Sequence, residues 1–144
     1  MINVFISVPM RDRTKEDIEY SIKKLKRIAR AVLAENDIEA NNINFINTIL
    51  RDTPPTNVDE RIWCLGGALQ LLSKADYLIA VEESYRYTGC DIEKEVFRSY
   101  KGFEHVIEVP LRYILSETEK YAIESGDTVK VCGCKCEEIT PDQC

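Results

Sequence analysis

The chain has 144 residues, enough for one domain around one core, with 44% hydrophobic and 31% charged residues and a net charge of −6 at pH 7. That charge argues against broad binding to a nucleic-acid polymer, which needs clustered Lys and Arg, but it leaves room for a small anion at a helix N-terminus. No apolar run reaches the roughly 20 residues of a membrane span, and Met1–Phe5 shows no basic segment before an apolar stretch, so a soluble, cytoplasmic chain with no membrane contact is expected.

Asn3–Val8 (NVFISV) is short, apolar and β-branched, and Pro9 bounds it; it predicts a buried strand. Thr14 opens a helix, with Asp17 as an acidic form of the capping box. Ile18, Ile22, Leu25, Ala29, Val32 and Leu33 recur at helical spacing to about Ala34, while Lys23, Lys24, Lys26 and Arg27 form a solvated face. Asp37–Ile49 holds a second strand and part of a loop. Asp52–Asn57 (DTPPTN) breaks the chain, and Thr56 or Asn57 can cap a helix striped by Ile62, Leu65, Leu69 and Leu72. Gly66-Gly67 interrupts that helix. Each interior glycine costs about 1 kcal/mol against alanine, so the pair implies tight packing on the sheet or close approach by something else.

Tyr77–Val81 (YLIAV) is the continuous apolar run of a parallel strand covered on both faces. A loop follows at Glu82–Thr88, a helix from about Gly89 to Tyr100, a strand at Val106–Val109 and a helix at Ser116–Glu124. Asp127–Cys132 alternates like a strand. Strands alternating with helices predict an α/β domain over residues 1–125, doubly wound and flavodoxin-like. Its sheet would be mainly parallel, with about five strands and helices on both faces. Residues 126–144 add a strand and a cysteine-rich tail. Ligands of such sheets bind at the carboxyl ends of strands near the switch point, which singles out the loops Pro9–Arg13, Asp52–Asn57 and Glu82–Thr88.

Ser73–Val96 is the most informative stretch: a buried strand, a polar and aromatic loop, then a helix start. Asp91 and Glu93 fall in the first turn, and Ile92 and Val96 face inward, which turns Glu93 towards the open strand ends. A carboxylate so placed can be held ionised by helix amides and aimed at a ligand. Attack on an anomeric carbon would give a covalent glycosyl intermediate, which water or a second acceptor resolves. Acidic residues in a first turn also simply complement the helix dipole.

Phe5-Ile6-Ser7-Val8-Pro9-Met10, Trp63-Cys64-Leu65-Gly66, Ala75-Asp76 and Gly89-Cys90-Asp91-Ile92-Glu93-Lys94-Glu95 follow one another over residues 2 to about 109. In order and spacing these motifs resemble the nucleoside 2-deoxyribosyltransferase-like proteins, in particular small uncharacterised phage and bacterial proteins related to those enzymes. The resemblance implies a nucleoside or nucleotide as partner, no cofactor, and a homo-oligomer, because such relatives build active sites between subunits. It puts the nucleophile, four residues after the glycine, at Glu93. It also implies substrate contacts at Phe5, Ser7, Pro9, Met10, Gly89 and Asp91. Tyr85 and Tyr87 suit a purine, and Arg11, Arg13 and Arg86 are either phosphate contacts or solvent-exposed.

Three positions depart from the resembled enzymes. The acidic residue that handles the base is replaced by Tyr87, a second active-site aspartate by Ala68, and the tyrosine that steadies the nucleophile by Phe5, which has no hydroxyl. General acid assistance contributes typically 10²–10⁴-fold, so these changes leave two functions open. One is cleavage or transfer at an N-glycosidic bond. The other is capture of a nucleotide without turnover, for instance as a phage sponge for a nucleotide-derived signal. A structural accessory protein joined through its tail is a third.

Cys64 and Cys90 lie in helices and read as small buried hydrophobes. Cys132, Cys134, Cys136 and Cys144 could supply four thiolates to a structural zinc, although C-x-C-x-C spacing is imperfect for one; a reduced tail is the plainer reading. The lone His105 reads as an edge residue.

Overall fold

In a computed structural model of the chain, residues 1–46 and 53–125 are described. The elements run β1 (Ile2–Ile6), α1 (Lys15–Glu35), β2 (Ile43–Phe45), α2 (Glu60–Leu72), β3 (Tyr77–Val81), α3 (Thr88–Lys101), β4 (Val106–Val109) and α4 (Glu117–Ser125). All strand pairs are parallel, in the order β2-β1-β3-β4. This is the expected α/β arrangement, consistent with a flavodoxin-like fold, with four strands among the described residues rather than about five. The strand expected at 127–132 lies outside them.

Alternation along the strands makes two cores. Val4, Ile6, Ile79, Val81 and Val109 face one way, onto Leu25, Ala29 and Leu33 of α1 and onto Leu111, Ile114 and Leu115 after β4. Phe5, Leu78 and Ala80 face the other way, onto Leu72 of α2 and Phe97 of α3. Helices therefore cover both faces.

Thr14 caps α1 by accepting from the Asp17 amide at 3.1 Å, as its spacing predicts. The cap of α2 is Asp59, not Thr56 or Asn57; its carboxylate accepts from the Arg61 and Ile62 amides. The expected apolar stripe of α2 is covered towards its C-terminal end: Leu72 is buried, Leu69 is partly buried against the core and Leu65 is partly buried, whereas Ile62 is 70% exposed. On α1, Lys26 and Arg30 are not merely solvated; both lie over the Phe45 ring and shield the short edge strand β2.

From β1 the chain passes first to β2 on one side, then back across to β3 on the other. The switch point therefore lies between the carboxyl ends of β1 and β3.

Candidate functional site

Ser7 follows β1 directly, and its amide donates to the Ile79 carbonyl at 2.9 Å, tying the end of β1 to β3. Its hydroxyl donates to Oε1 of Glu93 at 2.6 Å. Glu93 comes from α3, the helix that leaves β3, so groups from both sides of the switch point meet there. Ser7 is buried and Glu93 half-buried.

This geometry corrects the expected electrostatics of Glu93. It sits in the second turn of α3, past the open amides at the helix start, and its partner is the Ser7 hydroxyl rather than helix amides. Burial pushes its carboxyl up to about 7, while the Ser7 hydrogen bond pulls the other way. Near neutral pH both the protonated and the ionised forms are thus populated.

Phe5 is 1% exposed in the core with Leu72, Leu78 and Phe97, so its ring is core packing rather than a free substrate contact. Ser7, two residues on and by strand alternation on the same face, is the residue whose hydroxyl reaches Glu93. Tyr87 is 2% exposed and packs with Val81, Cys90, Leu111 and Ile114; an expected substrate contact is instead a core residue. Burial raises its phenol, and among the described residues its hydroxyl has no hydrogen-bond partner.

Arg13 is no phosphate contact either. Its side chain is fully buried, forks onto both carboxylate oxygens of Glu119 at 2.8 Å, and also donates to the Pro9 carbonyl and the Ser21 hydroxyl. Glu119 in turn closes a capping box with Ser116, accepting from its amide at 3.1 Å and donating its own amide to the Ser116 hydroxyl. The Ser-x-x-Glu spacing of residues 116–119 was a visible signal of that box; its pairing with Arg13 was not. Pro9 is buried, Met10 is exposed, and Arg11 pairs with Asp12 at 3.2 Å.

Tyr85 and Asp91 are brought together, but away from Glu93. They line a cleft of about 280 Å³ with Glu82, Lys94 and Arg98, on a different face of α3 from Glu93. Tyr85 is 68% exposed, and the Arg86 guanidinium lies over its ring at 5.7 Å. Lys94 pairs with Glu108 at 2.7 Å and donates to the Val81 carbonyl. Glu83 accepts from the Leu111 amide and so holds the loop to the segment after β4. A Cβ at Gly89 would meet nothing within 4 Å, so the described structure leaves the entrance to α3 open.

Cys90 is buried and Cys64 only partly so. His105 stacks on Tyr77 with centroids 4.6 Å apart, at the amino end of β4. Among the described residues no group of three or more His, Cys, Asp or Glu side chains could hold a metal ion, and no helix is long and apolar enough to cross a membrane. Cys132, Cys134, Cys136 and Cys144 lie outside the described residues. Compared with protein-family models, with curated proteins and with solved structures, the chain finds no match.

Proposed function

We propose that this protein handles a nucleoside or nucleotide and cleaves or transfers at its N-glycosidic bond, with Glu93 as the nucleophile. What carries the reading is the Ser7–Glu93 contact of 2.6 Å at the switch point. The ionised carboxylate attacks C1′ as the bond from C1′ to the base nitrogen breaks. The base leaves with that electron pair and takes a proton from solvent water. Water or a second acceptor then displaces Glu93 and restores the carboxylate. Ser7 orients the carboxylate and favours its ionised form.

The test is incubation with a panel of nucleosides and deoxynucleotides, read as free base. Glu93→Ala should reduce release by on the order of 10³-fold or more. Because the nucleophile must be ionised, kcat/KM should rise about tenfold per pH unit below about 7 and level off above it. Ser7→Ala should move that midpoint upward. Base release that survives Glu93→Ala sinks the reading.

A second reading is nucleotide capture without turnover. It is supported by Tyr87, which stands where the resembled enzymes carry an acidic residue and is buried in the core. Tyr85, exposed with Arg86 over its ring, offers an aromatic face for a base. Thermal stabilisation by a nucleotide with no base released would favour it, amounting to about 2.7 kcal/mol at a hundredfold excess over Kd.

A further inference from the structure

Arg13 and Glu119 bury two full charges, with side chains 0% and 5% exposed, and neither takes part in the attack on C1′. Stability alone does not account for such a pair, since well-packed apolar groups of similar volume often hold a fold as well or better. The contacts of the pair point to another role. Arg13 donates to the Pro9 carbonyl at 2.8 Å, and Pro9 lies two residues after Ser7. Between Pro9 and Arg13 the chain turns, the Arg13 amide donating to the Met10 carbonyl at 3.3 Å. That turn passes through Asp12 at φ 58°, a left-handed conformation that persists where the surroundings hold it. Here the guanidinium holds it from inside.

On its other side the pair reaches the start of α3. Tyr87 accepts the first helical hydrogen bond there, from the Asp91 amide at 2.8 Å, and both charges act on its phenol. The Ser21 hydroxyl, which accepts from Arg13, donates in turn to the Ile114 carbonyl at 2.6 Å and ties α1 into the same joint. The pair thus stands between the exit of β1, which carries Ser7, and the start of α3, which carries Glu93. Resting on the reading of Glu93 as nucleophile, we propose that Arg13 and Glu119 are positioning residues: their ion pair sets the exit of β1 against the start of α3 and so keeps the Ser7 hydroxyl on Glu93. Among the described residues neither is hydrogen-bonded to Glu93, so they act through Ser7. Displacing a reacting group by about 1 Å can cost on the order of 10²-fold in rate, which is the scale on which such a joint matters.

The test joins base-release kinetics to a carbon-13 NMR titration of the Glu93 carboxyl, which needs no substrate. Arg13→Met with Glu119→Leu removes both charges and leaves the net charge unchanged; urea unfolding shows that it folds. Its kcat should fall about tenfold or more at nearly unchanged KM. Glu93 should titrate higher, as in Ser7→Ala, with a proton affinity raised roughly threefold or more, because the carboxylate loses its hydroxyl partner. Arg13→Lys keeps the charge without the fork and should move both readouts the same way, which serves if the double variant does not fold. Leu33→Ala, a core deletion about 27 Å along α1 from its start, should lower stability and move neither. A Glu93 midpoint unmoved in the Arg13 variants, or moved as far by Leu33→Ala, overturns the positioning role and leaves the nucleophile untouched. A midpoint that moves as expected while the wild-type protein releases no base upholds the joint's hold on Ser7 and overturns the nucleophile instead.

Discussion

Glu93 illustrates how burial decides what a residue can do. Its carboxyl is lifted from an ordinary 4.5 to about 7 because few polar groups replace the water it loses. Between those two pH values the folded chain keeps a proton that the unfolded chain has released. Stability therefore falls as pH rises through the window from 4.5 to 7, and stays lower above it. At 1.36 kcal/mol per pH unit the fall is at most about 3 kcal/mol. Glu93→Gln removes the charge and keeps the shape. Urea unfolding at pH 8 should find the variant more stable by about 1–3 kcal/mol, with little difference near pH 4.5. Equal stability at pH 8 would show that the carboxylate is not desolvated. A site residue that costs stability when charged is the pattern expected where function sets the choice of side chain.

At the scale of elements, the joint between the first loop and α4 is held by buried polar groups. Arg13 and Glu119 form a buried, two-pronged ion pair whose lone pairs and protons are also used by Ser116, Ser21 and Pro9. Removing one partner leaves the other charge buried and unpaired. Arg13→Met should cost about 3–5 kcal/mol, whereas Arg13→Met with Glu119→Leu should cost clearly less than the two single losses added. A double-mutant cycle in urea measures this; strict additivity would mean that the pair does not couple. Elements were legible where neighbours within four residues set them: Thr14 with Asp17, the runs at 77–81 and 106–109, and the stripe of α1. The start of α2 was less so. Several residues between 52 and 59 can cap, and only the fold decides that Asp59 is the one whose successors turn helical.

For the whole molecule, the order β2-β1-β3-β4 leaves β1 and β3 flanked by strands on both sides and by helices on both faces. Hydrogen exchange should accordingly be slowest in β1 and β3, at opening free energies near that of global unfolding, and faster in β2 and β4, at the edges of the sheet among the described residues. Faster exchange in β1 than in β2 would contradict this core.

Local periodicity determined the fold class, because apolar runs and helical stripes depend only on residues a few positions apart. It also brought attention to the loop and helix that carry Glu93. Tertiary structure alone decided the rest. Ser7 and Glu93 are 86 residues apart, and Arg13 and Glu119 are 106 apart; parallel crossovers bring each pair into contact. The same packing turned Tyr87 from a loop residue into core, since whether an aromatic ring meets water or its own chain depends on elements remote in sequence that close over it.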